Sequence, residues 1–231
     1  MGGPRWDSLP ALSKPGALAS PEPMEVLDQD YGFILYRTRL RGPQSGRLSI
    51  LGLHDRAQVF LDGRPLGILT RNRPRKKLAF QVPPGGAQLD ILVENMGRVN
   101  FGPHLLDRKG ILGGVLIGNQ FVFGWEALPL PLADLSSLQF APLGAGTSAP
   151  AFYRATFRVD QPLDTFLALP GWTKGVAWVN GFNLGRYWKA GPQRTLYVPA
   201  PVLKQGENEL VIFELHGMQK PQVEFRARPK L

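Results

Sequence analysis

The sequence predicts an all-β protein built from two tandem β-sandwich domains of the jelly-roll type. The first observation is an internal repeat, since four blocks of residues 35–94 return in the same order within residues 152–214. A repeat unit of this length exceeds that of a solenoid and corresponds to a whole domain. The second observation is composition: 27 glycines and 22 prolines in 231 residues favour short strands joined by tight turns.

The repeated blocks keep their order and spacing although most other residues differ. The second block contains the clearest turn signal. Asp62-Gly63 and Asn180-Gly181 both suit a type I′ hairpin, which requires positive φ at two successive residues. The fourth block aligns Glu94 with Glu214. The paired blocks are residues 35–37 with 152–154, 59–67 with 177–185, 82–83 with 198–199, and 91–94 with 211–214.

The repeat divides the chain into three segments. Residues 1–23 contain five prolines and no strand or helix periodicity, which is typical of a linker. Residues 24–116 are the first predicted sandwich domain, and residues 117–231 the second. The second includes a connector at 121–150, part of which we expect to pack as its opening strand. The predicted strands lie near residues 31–40, 46–53, 57–61, 66–69, 89–94, 115–117, 152–159, 164–168, 175–179, 196–198 and 209–215.

The formal charge of +9 does not indicate nucleic-acid binding. The dense basic run at residues 71–77 contains no aromatic residue for base stacking, so it is interpreted as a solvated loop or one facing an acidic neighbour. The chain has no cysteine, which excludes disulfides and thiolate metal ligands. No segment approaches the roughly 18 apolar residues of a membrane span. We therefore expect neither nucleic acid nor membrane as a partner.

The most distinctive string is residues 171–188, which read GWTKGVAWVNGFNLGRYW. It resembles the C-terminal signature of the β-galactosidases of glycoside hydrolase family 35, which include the animal lysosomal enzyme. Residues 31–38, 89–98 and 191–199 resemble three further signatures of the same proteins. The resemblance covers nearly the whole chain from Trp6 onward, in the order that the family has.

This resemblance implies two galactose-binding-like jelly-roll domains that follow a catalytic (β/α)8 barrel with an acid/base and a nucleophilic glutamate. Such a barrel takes about 250 residues, more than the whole chain. We therefore expect a non-catalytic C-terminal part, inactive alone, that braces the barrel and shapes its surroundings. The missing barrel is the expected partner, with residues 1–23 as the linker from it. The family also implies a lysosomal, extracellular or periplasmic parent.

No catalytic carboxylate, metal site or cofactor is predicted. Retaining glycoside hydrolysis needs two carboxyl groups about 5–5.5 Å apart. Glu94 and Glu214 occupy equivalent positions of two separate repeats, so each is interpreted as a strand-end carboxylate of its own fold. The three histidines, at positions 54, 104 and 216, lack the spacing of a metal site.

The candidate binding residues form an aromatic cluster with one cation: Trp172, Phe182, Arg186, Tyr187 and Trp188. These rings can stack on sugar faces, or can pack within the fold or against the barrel. Arg186 can pair with a carboxylate of the barrel. The alternative function is a stand-alone module that binds galactose or another carbohydrate through this cluster. A third possibility is a scaffold without a ligand, which would expose apolar surface where the barrel would lie.

Overall fold

The structure is a computed structural model that describes residue 9 and residues 11–142 and 150–230. Its chain divides into two compact units, of which residues 12–132 form the first, and the other described residues form the second. Helix within the described residues is limited to single turns such as Met24–Leu27 and Ala200–Val202. The protein is therefore all-β, as predicted.

The first domain is a sandwich of two antiparallel sheets. Its strands within the described residues are β1 (Gly16–Leu18), β2 (Phe33–Leu40), β3 (Gln44–His54), β4 (Arg56–Leu61), β5 (Arg64–Thr70), β6 (Leu78–Val82), β7 (Ala87–Glu94), β8 (Gly110–Ile117), β9 (Gln120–Phe121) and β10 (Trp125–Leu130). One sheet has the order β1-β10-β2-β7-β4-β5 and the other β6-β3-β8-β9. Tyr36 and Ile91 from the first sheet share an apolar core with Leu48, Phe80 and Val115 from the second.

The second domain is a smaller sandwich with the same plan. Its strands within the described residues are β11 (Ala151–Val159), β12 (Thr165–Ala168), β13 (Lys174–Val179), β14 (Phe182–Trp188), β15 (Thr195–Val198), β16 (Gly206–Glu214) and β17 (Glu224–Arg226). The sheets have the orders β11-β16-β13-β14 and β15-β12-β17. Tyr153 and Ile212 from one sheet share an apolar core with Leu167 and Leu196 from the other.

Strand order and turn geometry reproduce the internal repeat. The order β2-β7-β4-β5 corresponds strand by strand to β11-β16-β13-β14, and β6-β3-β8 corresponds to β15-β12-β17. The φ angles of Asp62-Gly63 are 46° and 72°, and those of Asn180-Gly181 are 50° and 80°, as type I′ turns require. The first side chain of each turn accepts a hydrogen bond from the neighbouring strand, from the amide of Gln88 at 2.8 Å and from that of Glu209 at 2.9 Å.

The fourth repeated block is displaced by one residue in the structure. Val59 of β4 pairs with Ile91 of β7. Ala177, which matches Val59 in the second block, pairs with Ile212 and not with Val211, the residue that block matching aligns with Ile91. Because successive side chains of a strand point to opposite faces, a shift by one residue moves each side chain to the other face.

This displacement corrects the interpretation of the two glutamates. Glu214 occupies the place in the second domain that Val93 has in the first, on the face that contributes to the core. Glu94 lies one residue further along its strand, on the opposite face. The predicted equivalence of Glu94 and Glu214 is therefore wrong, because short blocks matched by residue type cannot detect a one-residue shift.

Residues 125–130 form an inner strand of the first domain, although part of the connector at 121–150 was expected to open the second. β10 pairs with β2 on one side and with β1 on the other. Trp125 and Ala127 point into the core of the first domain. Pro129 lies beyond the stretch paired with β1, where an open edge tolerates proline.

The first domain thus extends beyond the predicted range 24–116 at both ends. β1 at its N-terminal side is only three residues long, too short to show periodicity in a proline-rich stretch. Residues 1–8 and 10 of the predicted linker and residues 143–149 of the predicted connector lie outside the described residues.

Candidate functional site

The five candidate residues lie on β14 and just before β13, but they do not share one surface. Strand alternation buries Tyr187 and leaves its neighbours Arg186 and Trp188 exposed. Phe182, at the start of the strand, is 52% exposed, whereas Trp172 is only 5% exposed. The hairpin therefore separates the cluster into buried and exposed members.

Three of the five line a single cleft of about 180 Å³ in the second domain: Trp172, Tyr187 and Trp188. Phe182 and Arg186 are not part of its lining. Residues 168–171 and several polar and basic side chains complete the wall, and none of the described lining residues is acidic. The polar and basic side chains are Lys189, Gln193, Arg194, Arg226 and Lys230. This composition favours a neutral polar or an anionic ligand over a cation.

The two tryptophans of the cleft are held by different contacts. The Trp172 indole donates a hydrogen bond from Nε1 to the carbonyl of Gln222 at 2.8 Å, and its ring lies edge-on to Tyr153 at 5.2 Å. Trp188 is 39% exposed, and the ammonium of Lys174 lies 4.4 Å from its ring centroid. Trp172 is a fixed wall of the cleft, and Trp188 keeps part of its surface available to a ligand.

A buried carboxylate organises the backbone next to this cleft. Glu214 is fully buried, and its oxygens accept hydrogen bonds from the amides of Thr173 at 2.9 Å, Lys174 at 3.3 Å and His216 at 2.8 Å. The hydroxyl of Tyr187 donates to the same carboxylate at 2.9 Å. Glu214 thereby fixes the segment that connects Trp172 to β13.

Burial sets the protonation behaviour of this pair. Desolvation raises the pKa of Glu214 above its ordinary value of 4.5, although the three amides and Tyr187 oppose that shift. Burial, followed by the negative charge of Glu214, raises the pKa of Tyr187 well above its ordinary value. The three amides and the Tyr187 hydroxyl that donate to Glu214 belong to its own domain, so this carboxyl has a structural role.

Glu94 is likewise tied to its own domain. It is 2% exposed and lies 3.7 Å from the guanidinium of Arg56, which is also buried. Sequence reasoning assigned both glutamates to their own folds, and the contacts agree with that interpretation even though the two positions are not equivalent.

The first domain contains a buried ion cluster that sequence reasoning missed. Lys109, 2% exposed, contacts the carboxylates of Asp55 and Asp107, each at 2.9 Å. Arg71 lies 2.7 Å from Asp107 and 3.3 Å from Asp55. The hydrogen bond from Arg71, with help from Lys109, holds the pKa of Asp107 below its ordinary value. No short motif reveals this cluster, since its members are spread over residues 55–109.

The buried carboxyl groups among the described residues have structural partners in their own domains. Retaining glycoside hydrolysis needs one carboxyl group with a raised pKa and a second one about 5–5.5 Å away. Glu214 has the raised pKa, but the donors to its oxygens are three backbone amides and the Tyr187 hydroxyl. Asp55 and Asp107 both contact Lys109 and Arg71, and the hydrogen bond from Arg71 lowers the pKa of Asp107, whereas a general acid needs a raised pKa.

No group of three metal-ligating side chains occurs within the described residues. Among the same residues, no helix is long and apolar enough to cross a bilayer.

Two family models match the chain. Residues 21–131 match the model described as "Beta-galactosidase, first all-beta domain". Residues 150–208 match the model described as "Beta-galactosidase, galactose-binding domain". The first match lies in the domain that contains β10, and the second covers the hairpin that carries the cleft aromatics.

Curated relatives agree with these two matches. A β-galactosidase of Xanthomonas manihotis is 43% identical over 84% of this chain and 32% of its own length. β-Galactosidase 1 of Dictyostelium discoideum is 42% identical over 84% of this chain and 32% of its own length. A β-galactosidase of Homo sapiens is 38% identical over 90% of this chain and 35% of its own length. The chain thus spans about a third of the length of these relatives.

Proposed function

Because this chain belongs to the β-galactosidase family, as a partial C-terminal region that carries the first all-β domain and the galactose-binding domain, we propose that it supports catalysis without performing it. In a complete enzyme that removes terminal β-galactosyl residues, the two sandwiches brace the catalytic region and shape its surroundings. The catalytic region is the partner that this function requires.

One observation carries the proposal: buried carboxyl groups of both domains are already committed to the folds of their own domains. Glu214 is bonded to three backbone amides and Tyr187. Asp55 and Asp107 neutralise the buried cation of Lys109. Releasing any of these groups for proton transfer would leave a buried donor or charge without its partner, which is costly.

Co-expression with the rest of a relative tests the bracing role. The chain is produced together with the part of the Xanthomonas manihotis β-galactosidase that lies outside the matched stretch. We expect the pair to hydrolyse p-nitrophenyl β-galactoside, and the relative's part alone to be poorly soluble or less active. Equal yield and activity with and without this chain would contradict a bracing role.

A second candidate function is carbohydrate binding at the cleft of the second domain. The observation that favours it is the partly exposed ring of Trp188 beside hydrogen-bonding side chains such as Gln193. Aromatic rings next to a few polar groups are the usual composition of sugar sites. The match to a galactose-binding domain supports a carbohydrate as the ligand class.

Galactose titration followed by tryptophan fluorescence tests this second candidate. We expect saturable quenching that Trp188→Ala abolishes. Phe182→Ala is the matched control, because that ring is similarly exposed but does not line the cleft. Absence of quenching would exclude the cleft as the sugar site, and an unchanged galactose affinity of Trp188→Ala would exclude Trp188 as the ring that binds the sugar.

A further inference from the structure

The loop between β7 and β8, residues 95–109, exposes large apolar side chains and is called the apolar loop below. Phe101 is 88% exposed, Leu105 is 58% exposed and Leu106 is 94% exposed. Single exposed apolar residues are ordinary, but three within six positions of one loop form a patch. Such patches mark surfaces that another molecule or domain covers.

The start of the apolar loop is held by hydrogen bonds to the segment before β2. The amide of Asn95 donates to the carbonyl of Gly32 at 3.1 Å, and its side-chain nitrogen donates to the carbonyl of Asp30 at 3.0 Å. Arg98 donates to the same carbonyl of Asp30 at 2.8 Å and pairs with Glu25 at 2.6 Å. These contacts fix the direction in which the loop leaves β7.

The end of the apolar loop is held by the buried ion cluster. Asp107 and Lys109 are loop residues, and Lys109 reaches Asp55 at the beginning of β4. Loss of this buried cation would leave Asp55 and Asp107 with the partly exposed Arg71 as the cation that contacts both of them. With both ends fixed, the loop presents its apolar side chains in a defined place, and little ordering is needed when a partner binds.

A basic segment flanks the apolar loop. Arg71 bonds to Asp107 at 2.7 Å and is the first residue of the exposed run 71–77. Arg108, within the loop itself, is also exposed. The surface therefore combines an apolar centre with several cations, and its complement is an apolar depression bordered by carboxylates.

We propose that the apolar loop is the docking surface for the catalytic region of a β-galactosidase, with Phe101 and Leu106 as its apolar anchors and residues 71–77 as its basic flank. This inference rests on the proposed function and names the surface that performs it. The identity of the partner follows from length: the relatives have about two thirds of their residues outside the matched stretch. A chain that makes up a third of an enzyme must present a face to the remainder.

The apolar loop can be tested by affinity capture of the catalytic part of a relative. The chain carries a tag and is co-expressed with the part of the Xanthomonas manihotis β-galactosidase outside the matched stretch. We compare the wild-type chain with Phe101→Asp/Leu106→Asp. The matched control is Phe123→Asp/Leu163→Asp, which places two charges at positions that are 66% and 59% exposed outside the loop.

We expect capture to fall by about tenfold or more for the loop variant and to stay at the wild-type level for the control. Far-UV circular dichroism checks that both variants fold, which is expected because the substituted side chains are exposed. Equal capture by the loop variant would overturn the docking surface while leaving the proposed function in place. No capture by the wild-type chain would overturn both.

The oligomeric state of the purified chain distinguishes a second copy from the catalytic region as the occupant. We expect light scattering with size exclusion to give the mass of a monomer for the wild-type chain. A wild-type dimer that Phe101→Asp/Leu106→Asp converts to a monomer would assign the loop to self-association and would overturn the proposal.

Discussion

The two domains place different residues at one shared position of the larger sheet. Val93 lies in the apolar core of the first domain, and Glu214 takes its place in the second. The neighbouring strand differs in the same way. Leu69 pairs with Ala57 in the first domain, and the corresponding Tyr187 pairs with Gly175 in the second. The apolar residues Val93 and Leu69 of the first domain thus correspond to Glu214 and Tyr187 of the second, which are buried and hydrogen-bonded to each other.

The difference shows that the shared sheets support different loops through different buried charges. In the second domain, Glu214 reaches the backbone of residues 173–174 and fixes one wall of the aromatic cleft. In the first domain, the buried Asp107 and Lys109 and the half-buried Asp55 anchor the end of the apolar loop. Strand pairing gives the common framework, and different polar groups anchor different loops.

Removing the buried cation of the first domain tests this comparison, and of the changes considered it should have the largest effect on the free energy of unfolding. Lys109→Met keeps the length of the side chain but removes the buried cation that Asp55 and Asp107 share, leaving the partly exposed Arg71 in contact with both. We expect the free energy of unfolding to fall by about 3–5 kcal/mol, measured by urea denaturation. Lys77→Met, at an exposed position, should change it by less than about 0.5 kcal/mol. Similar effects of the two variants would show that the ion cluster does not hold the domain.

The space beside the polar pair Glu214 and Tyr187 can be tested at two corresponding positions, which are Ala57 in the first domain and Gly175 in the second. A methyl group on Gly175 would collide with the carbonyl of Phe213 and lie 2.7 Å from the Tyr187 hydroxyl. Gly175→Ala should therefore destabilise the chain by about 3 kcal/mol. The reverse change, Ala57→Gly, should cost about 1 kcal/mol. Thermal denaturation of both variants measures the contrast, and a tolerated Gly175→Ala would show that the strands there have more room than described.

Removing the hydroxyl of Tyr187 tests the hydrogen bond to Glu214. Tyr187→Phe should lower the free energy of unfolding by about 1–2 kcal/mol, because a buried carboxylate loses a donor. Tyr31→Phe is a control at a position that is 49% exposed, where little change is expected. Chemical denaturation of both variants gives the difference, and an unchanged stability of Tyr187→Phe would mean that the backbone amides alone satisfy Glu214.

Stability should depend on pH with opposite signs in the two domains. The folded pKa of Glu214 is raised above 4.5, so its protonated form favours the folded state. The stability that it provides is lost as the pH rises from 4.5 through the raised value. The folded pKa of Asp107 is lowered below 3.8, so its contribution is present above 3.8 and is lost as the pH falls through the lowered value.

Melting temperatures over this pH range separate the two contributions. Glu214→Gln should reduce the loss of stability as the pH rises above 4.5, and Asp107→Asn should reduce the loss below 3.8. Identical pH profiles for the wild-type chain and both variants would contradict the assigned protonation states.

The sequence was sufficient to predict those elements that neighbouring residues determine. The two type I′ turns, the strands around them and the repeat followed from Asp62-Gly63, Asn180-Gly181 and the blocks beside them. The position of β10 did not, because Pro129 interrupts the alternation that Trp125 and Ala127 would otherwise show. Pro129 is tolerated because it lies at an open edge, and only the pairing of β1 with β10 reveals that edge.

The site was predictable only in part, for a physical reason. The cluster at 172–188 was found because its residues are close in sequence, and strand alternation then divided it between the cleft and the solvent. The contacts of Glu214 and the cluster around Lys109 join residues that are distant along the chain. Their partners depend on register, and a shift of one residue was enough to misassign Glu214.

Hydrolysis of p-nitrophenyl β-galactoside by the highly purified chain alone tests the central claim most directly. The account predicts no release of nitrophenolate above the buffer rate, because the buried carboxyl groups serve the folds of their own domains. Turnover by the chain alone that Glu94→Gln or Glu214→Gln abolishes would contradict it.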